Sequence, residues 1–498
     1  MMEAIANPFR PGYAVAPRFL AGREPVRAQC EGLLRSLSVP GYGTPRSVVL
    51  FGPRGNGKTS LLVEAGFPDW AADLAVPEGG EAAFQHVHIS SGLAVARRIG
   101  TLSAAVALRL GVEEPTGKRR ALLARFPNLS ARLDLTAEGG LQLALAKQSQ
   151  STSDGIPTLE HSLDVEAQLQ LLLLEGPLLL TIDEAYGMEP AYAAELLSAV
   201  SSLCSASERK REPETAPPSI LLVLAGTPEV RSWLRNLRTE YNPRFGATFW
   251  DRCEKVPLGR LAPHDAAAAL VNPLASVGMS IAREALDAAV EEAQGYPFFL
   301  QHLGSGMFDA ARRDGVMHVN PAHLAAALPV LATIRTDYYG ERWEELRERG
   351  LVDLSARMGE YLLAQPSHRV PLVQAEAHLA RILLDTLGME QRTWRRLVAA
   401  LKPRAVTSAL AKVENELNVD IPGEPMDTKA WAYVAEQAAI VVTAQLGDVG
   451  FLWQPVTGQN VELGIPSLAA FLLAKEAEQG GKLPPPAPSA SAPDPQMD

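Results

Sequence analysis

Eight consecutive residues, Gly52-Pro53-Arg54-Gly55-Asn56-Gly57-Lys58-Thr59, constrain the fold of this chain more than any other stretch. They fit the pattern in which a strand turns into a helix while glycines let the turn's backbone N–H groups face inward around phosphate oxygens. On this pattern Lys58 reaches the β- and γ-phosphates of a nucleotide, Thr59 places its hydroxyl on magnesium, and Ser60 completes the candidate phosphate-binding set. The helix start adds its positive dipole end to the same anion site. The flanks agree: Ser47 to Phe51 is a short β-branched run ending at glycine, and Thr59 to Ala65 continues with helical spacing.

Further strands follow at intervals that suit crossover helices. Phe84 to Ser90 alternates like a strand, Ala94 to Leu110 is helical, and Leu178 to Ile182 and Ile220 to Ala225 are continuous apolar runs of strand length. Continuous apolar runs are expected of parallel strands covered on both faces. The first of them ends Thr181-Ile182-Asp183-Glu184, two carboxylates at a buried strand end, where Asp183 is expected to hold the magnesium shell and Glu184 to activate water as general base. The second ends Ala225-Gly226-Thr227-Pro228, so Thr227 is expected beside the γ-phosphate, against the plainer alternative of a turn cap. Arg252 precedes Val256-Pro257-Leu258, the expected last strand of this core. An arginine there would stabilise transferring phosphate charge, and Arg244 and Arg260 compete for the role.

Three more segments join these motifs in order: Asn7-Pro8-Phe9, Leu20-Ala21-Gly22-Arg23-Glu24 and Gly295-Tyr296-Pro297. Together the set resembles the initiator-like AAA+ ATPases, relatives of the origin-recognition ATPases and of the STAND signalling ATPases, over roughly Asn7 to Gly304. The resemblance implies that ATP and Mg2+ are the ligands, that the segment carrying Arg23 borders the adenine, and that the turn before Pro297 brings a helical lid onto the nucleotide. One departure is that Gly-Tyr-Pro stands where many AAA+ lids carry a sensor arginine. That departure points to a slow switch rather than a fast motor.

The expected architecture is an α/β P-loop AAA+ parallel sheet with helices on both faces over residues 1–260, a helical lid over 261–335, a helical or winged-helix-like domain over 336–475 and a disordered tail over 476–498. Strand patterns disappear after Leu261 until a late pair, Val449 to Gln454 and Val461 to Ile465, around Thr457-Gly458. In proteins similar to these a winged helix often follows the lid, with Leu372 to Leu401 supplying helices and the late pair a wing. Arg392, Arg395, Arg396, Lys402 and Arg404, with Trp394 among them, form the most basic local stretch and are the candidate DNA contact, with Glu390, Glu414, Glu416 and Asp420 nearby. Leucines alternating on either side of Glu138-Gly139-Gly140 suggest a hairpin insertion over residues 131–146, and Ser205 to Pro218 reads as a surface loop.

Composition sets outer limits. A formal net charge of -11 supplies no overall basic field, so a general polyanion binder is disfavoured, while a local patch stays open. Three cysteines, Cys30, Cys204 and Cys253, suggest neither a disulfide framework nor a zinc cluster, and His86 and His88 stand at strand spacing without partners for a metal site. The apolar run Leu169 to Ile182 is broken by Glu175-Gly176-Pro177 and is too short to cross a bilayer. A cytoplasmic ATPase without a membrane partner is the expectation: ATP promotes self-association into a homo-oligomer, and the target is DNA or a DNA-bound assembly. The alternative is a STAND-like signalling ATPase whose nucleotide state controls a protein partner.

Overall fold

The computed structural model describes residues 6–12, 19–37, 47–63, 66–75, 84–90, 165–173, 176–209, 220–240, 246–365, 368–387, 428–454 and 459–478. The helix expected over Ala94 to Leu110, the hairpin over 131–146, the basic stretch from Arg392 to Arg404, the Thr457-Gly458 turn, Arg244 and the tail from 479 on lie outside the described residues, while 476–478, expected in the disordered tail, are helical.

Five strands form one parallel sheet: β1 Val48–Phe51, β2 Gln85–Ser90, β3 Leu178–Asp183, β4 Ile220–Gly226 and β5 Glu254–Pro257. Their order is β2-β3-β4-β1-β5, with Val48 opposite Val223 and Glu254, and Leu180 opposite Leu222. Every residue of β3 and β4 is buried, which the unbroken apolar runs anticipated, because helices cover both faces. Alternate residues go to opposite sides: Val48 and Leu50 meet Cys30, Leu34, Leu61 and Phe67, whereas Val49, Leu178 and Leu180 meet Leu169, Leu196 and Leu234. The first side is covered by α1 Glu24–Arg35, α2 Lys58–Val63 and α3 Phe67–Ala75, and the second by α4 Val165–Leu173, α5 Pro190–Arg209 and α6 Val230–Glu240. Helix α5 continues to Arg209, so the first residues of the expected loop at Ser205 to Pro218 are helical. A short helix, α7 Gly246–Arg252, leads into β5.

The lid comprises α8 Pro263–Ser276, α9 Arg283–Ala293 and α10 Pro297–Arg313. Strands do not disappear after Leu261 as expected. Ser280–Ile281 (β6) and His318–Val319 (β7) form a two-residue parallel pair, too short for an alternation to show in sequence. Helix α11, Pro321–Glu348, is capped by Asn320 and runs unbroken through the expected boundary at 335/336. After it come α12 Val352–Leu363, β8 Arg369–Pro371, α13 Leu372–Leu387, α14 Thr428–Asp448, β9 Leu452–Trp453, β10 Asn460–Leu463 and α15 Pro466–Glu478. The late strand pair is present and antiparallel, and β8 adds a third strand that the sequence pattern missed, in the order β8-β10-β9.

From Leu261 to Leu472 the lid and the C-terminal segment share one continuous apolar core. The N-terminal Asn7-Pro8-Phe9 segment belongs to it: Phe9 is buried against α10 at Gly304, and Asn7 Nδ2 donates to Ser305 Oγ at 2.9 Å. None of the three cysteines is in a disulfide, and no helix among the described residues is long and apolar enough to cross a membrane. The described residues hold no group of three His, Cys, Asp or Glu suited to a metal ion; His86 and His88 instead both bond Thr181 Oγ1, at 2.9 and 3.0 Å.

Candidate functional site

The order of the sheet brings the carboxyl ends of β1, β3 and β4 side by side, where α/β folds place their ligands. The loop after β1 is Gly52 to Gly57, β3 ends in Asp183, and Thr227 follows β4. Gly52 N–H still donates to Gly226 O, while Leu258 N–H donates to Phe51 O at 2.8 Å, so the loop starts from a fixed root. Its middle is held by a relay: Arg23 Nη2 donates to Asn56 O at 2.7 Å, and Asn56 Nδ2 donates to Leu258 O at 3.0 Å. Arg23 is only 8% exposed, and burial pushes its guanidinium down to about 10 against the opposing charges of Asp265 and Glu24.

Lys58 is buried within the loop, and its Nζ donates to Gly52 O at 2.7 Å and Pro53 O at 2.9 Å. Burial pushes the ammonium down to about 8; Arg54 and Arg23 add to that, while Asp183 and Glu184 oppose it. The adjacent Thr59 Oγ1 donates to Asp183 Oδ2 at 2.5 Å, and the other carboxylate oxygen accepts Glu184 N–H at 3.0 Å. Glu184 takes a left-handed φ of 46°, which turns the chain sharply at the strand end and leaves its carboxylate on the pocket wall. Thr227 is buried there as well. Its hydroxyl makes no hydrogen bond of good geometry, and the Tyr186 phenol is its polar neighbour.

One pocket joins these groups to the lid. Its polar part is lined by Arg54 to Ser60, Asp183, Glu184, Tyr186 and Thr227. Its other end is largely apolar, from Phe19, Leu20, Ala21, Leu261, Ala269, Pro297 and Phe298, with Arg10, Arg23 and Gln301 as polar members. Pro297 is the first residue of α10, entered through Gln294 and Gly295 with φ of 52° and 70°. Gly295 O accepts Leu261 N–H at 2.8 Å, which pins the turn to the end of the core.

The structure therefore gathers Arg23, Arg54 to Ser60, Asp183, Glu184, Thr227 and Pro297 around one pocket, while Gly52 and Pro53 form its buried root. Arg252 is not among them: it is exposed at the end of α7. Arg260 is partly buried and also lies outside the lining. Sequence reading missed Arg10, Phe19, Tyr186, Ala269, Phe298 and Gln301. Only Tyr186 carried a usable signal, two residues beyond Glu184 at the end of β3.

The donor set suits a magnesium-bound polyphosphate. A hydroxyl and a carboxylate are hard oxygen ligands, a lysine stands one residue away, and the buried Thr227 hydroxyl wants a partner. No protein-family model and no curated protein sequence matches the chain. Solved structures similar to it include the Walker-type ATPase PABY2304 of Pyrococcus abyssi, at 14% identity over 93% of this chain and 98% of that one, with a TM-score of 0.47. The Aeropyrum pernix ORC2 protein in its ADPNP–ADP complexes is similar at 12% identity over 94% and 98%, TM-score 0.46. The Aeropyrum pernix ORC1 protein in complex with DNA is similar at 14% identity over 95% and 97%, TM-score 0.36. With identities of 12–14% and TM-scores below 0.5, the fold and the chemistry rest on this chain's own strands and side chains.

Proposed function

We propose that this chain, an origin-recognition-like AAA+ protein by fold, is an ATP-binding switch that hydrolyses ATP to ADP and phosphate. The observation that carries this reading is the 2.5 Å contact between Thr59 and Asp183 beside the buried Lys58. It pairs a hydroxyl from the first turn of α2 with a carboxylate at the end of β3, next to a phosphate-seeking cation. Thr59 and Asp183 would hold Mg2+, which when bound neutralises charge on the phosphates. Lys58 would exchange the carbonyls of Gly52 and Pro53 for phosphate oxygens. Glu184 accepts a proton from the attacking water as the water oxygen bonds the γ-phosphorus and the bond from phosphorus to the β–γ bridging oxygen breaks. Thr227 orients that water or the γ-phosphate through its hydroxyl. Arg23 fixes the loop at Asn56 and borders the base end with Pro297.

The reading includes a homo-oligomer in which Arg252, exposed and outside its own pocket, would complete the site of a second copy. Two variants test the chemistry. Lys58→Ala is expected to abolish ATP binding, and Glu184→Gln to preserve binding while stopping turnover. Unchanged hydrolysis in Glu184→Gln would show the base to be wrongly assigned.

The target we infer is DNA or a DNA-bound assembly. Support comes from the order, among the described residues, of α12, β8, α13, α14, β9 and β10 with sheet order β8-β10-β9, which suits a winged helix. Duplex binding in the presence of ATP, falling steeply with salt, is the expected result; no binding at low salt overturns it. A second reading, a STAND-like switch acting on a protein partner, is favoured by how closely the C-terminal segment sits on the loop. Pro53 packs on Gly464 and Gly450, and the Trp453 ring lies 5.8 Å from that of Phe51. Equal partner affinity for the ATP and ADP states would rule out that switch.

A further inference from the structure

The lid contributes Leu261, Ala269, Pro297, Phe298 and Gln301 to the pocket and, among the described residues, no cation. The pocket's cations are Arg10, Arg23, Arg54 and Lys58. Arg10 lies at the base end, where its N–H donates to Gln301 Oε1 at 3.1 Å, and Arg23 is buried with its guanidinium on Asn56 O. Lys58 sits inside the loop. Arg54 shares the phosphate end with Glu184, Tyr186 and Thr227, and its side chain is exposed there.

The backbone beneath Arg54 is held from outside the core. Tyr338 of α11 donates its phenol to Arg54 O at 3.2 Å, and the same phenol lies 2.9 Å from that of the fully buried Tyr296. The Tyr296 ring presses on Gly55, where φ is 79° and an added Cβ would come within 2.8 Å of it. On the other side Pro53 meets Gly464. A guanidinium on an anchored root in the pocket lining is a preorganised fork for phosphate oxygens. Its charge is also well supported: burial opposes it, but Tyr186, Glu184, Glu345 and Tyr338 outweigh that and hold it above the usual range.

We propose that Arg54 is the residue by which this site tells a nucleoside triphosphate from a diphosphate, its guanidinium binding the γ-phosphate within the same chain at the place where the lid offers no cation. Binding there sets the γ-phosphate in the pocket that Glu184 also lines. The inference rests on the ATP-site reading above and assigns it a specificity residue that needs no second copy.

The test is equilibrium binding of Mg-ADP and of a non-hydrolysable Mg-ATP analogue to dilute full-length protein, for the wild type, Arg54→Gln and Arg54→Lys. Wild type should bind both. Arg54→Gln should leave ADP affinity within about twofold while weakening the triphosphate analogue by roughly tenfold to hundredfold, the scale of a charge-assisted bond. Arg54→Lys should fall between, because it keeps the charge and loses the fork. An equal loss for both nucleotides, or no loss for either, overturns the assignment while leaving the ATP site standing. A wild type that binds neither nucleotide removes both readings together. Since Arg54 is exposed, unchanged thermal melting of the variants is expected and identifies any effect as one on binding.

Discussion

In the P-loop core the sheet divides the apolar interior into two clusters, one under α1 to α3 and one under α4 to α6. From Leu261 onward the lid and the C-terminal segment instead bury their apolar faces in a single cluster, threaded by the unbroken helix α11. The contrast bears on how a nucleotide signal travels. The core is a two-sided sheet whose candidate site lies at the carboxyl ends of its inner strands. The second region is packed as one body, so a lid that moves must take the C-terminal segment with it. Contacts that bridge the two include Tyr296 on Gly55, Tyr338 on the Arg54 carbonyl, Pro53 on Gly464, Trp453 on Phe51 and Ser232 on Asp448 at 2.8 Å.

The largest effect expected is confined to the core. Glu184→Gln should lower ATP turnover by about 10²- to 10⁴-fold, the usual worth of a general base, with nucleotide affinity retained in a filter-binding or fluorescence assay. Next is the unity of the second region. Leu303→Ala in α10 and Leu446→Ala in α14 each remove a fully buried side chain, at a cost of roughly 2–5 kcal/mol. Calorimetry should show both variants lowering the same transition; a separate transition for each would break the single body in two.

A smaller effect follows from Lys58. Its folded value lies near 8 rather than 10.5 because burial disfavours the ammonium, so above about pH 8 the empty protein holds a neutral amine. Phosphate binding favours the charged form and must then take up a proton. Nucleotide affinity should accordingly fall by up to about tenfold per pH unit above that point. The same depressed value makes the lysine a cost to folding below pH 8, one that fades as pH rises toward 10.5. The smallest effect is at the bridge. Tyr338→Phe deletes the hydrogen bonds to Arg54 O and Tyr296 while keeping the ring, at about 1 kcal/mol, and a lid that unlocks more readily should show faster amide exchange at residues 295–300.

Much of the candidate site was legible because its chemistry is local. Gly52 to Thr59 specifies a turn within eight residues, and a six-residue apolar run ending in Asp183 specifies a buried strand with a carboxylate at its tip. The apolar part of the pocket was not legible. Phe19, Ala269, Phe298 and Gln301 come from separate elements, and nothing in their local patterns marks a ligand rather than a core. Strands of two or three residues such as β6, β7 and β8 were missed for a related reason: a period of two needs more residues than that to show.

The sequence by itself determined the P-loop, the acidic end of β3, the parallel sheet and the helical region after it, because each is encoded in contiguous residues whose backbone needs are strict. Only the tertiary structure decided which chain segments face the loop: Arg23 on Asn56, Tyr338 on Arg54, Pro53 on Gly464, and Arg252 outside the pocket. Those contacts join residues from about 30 to more than 400 positions apart. They are set by how the apolar faces close, and the period of a single helix or strand does not contain that information.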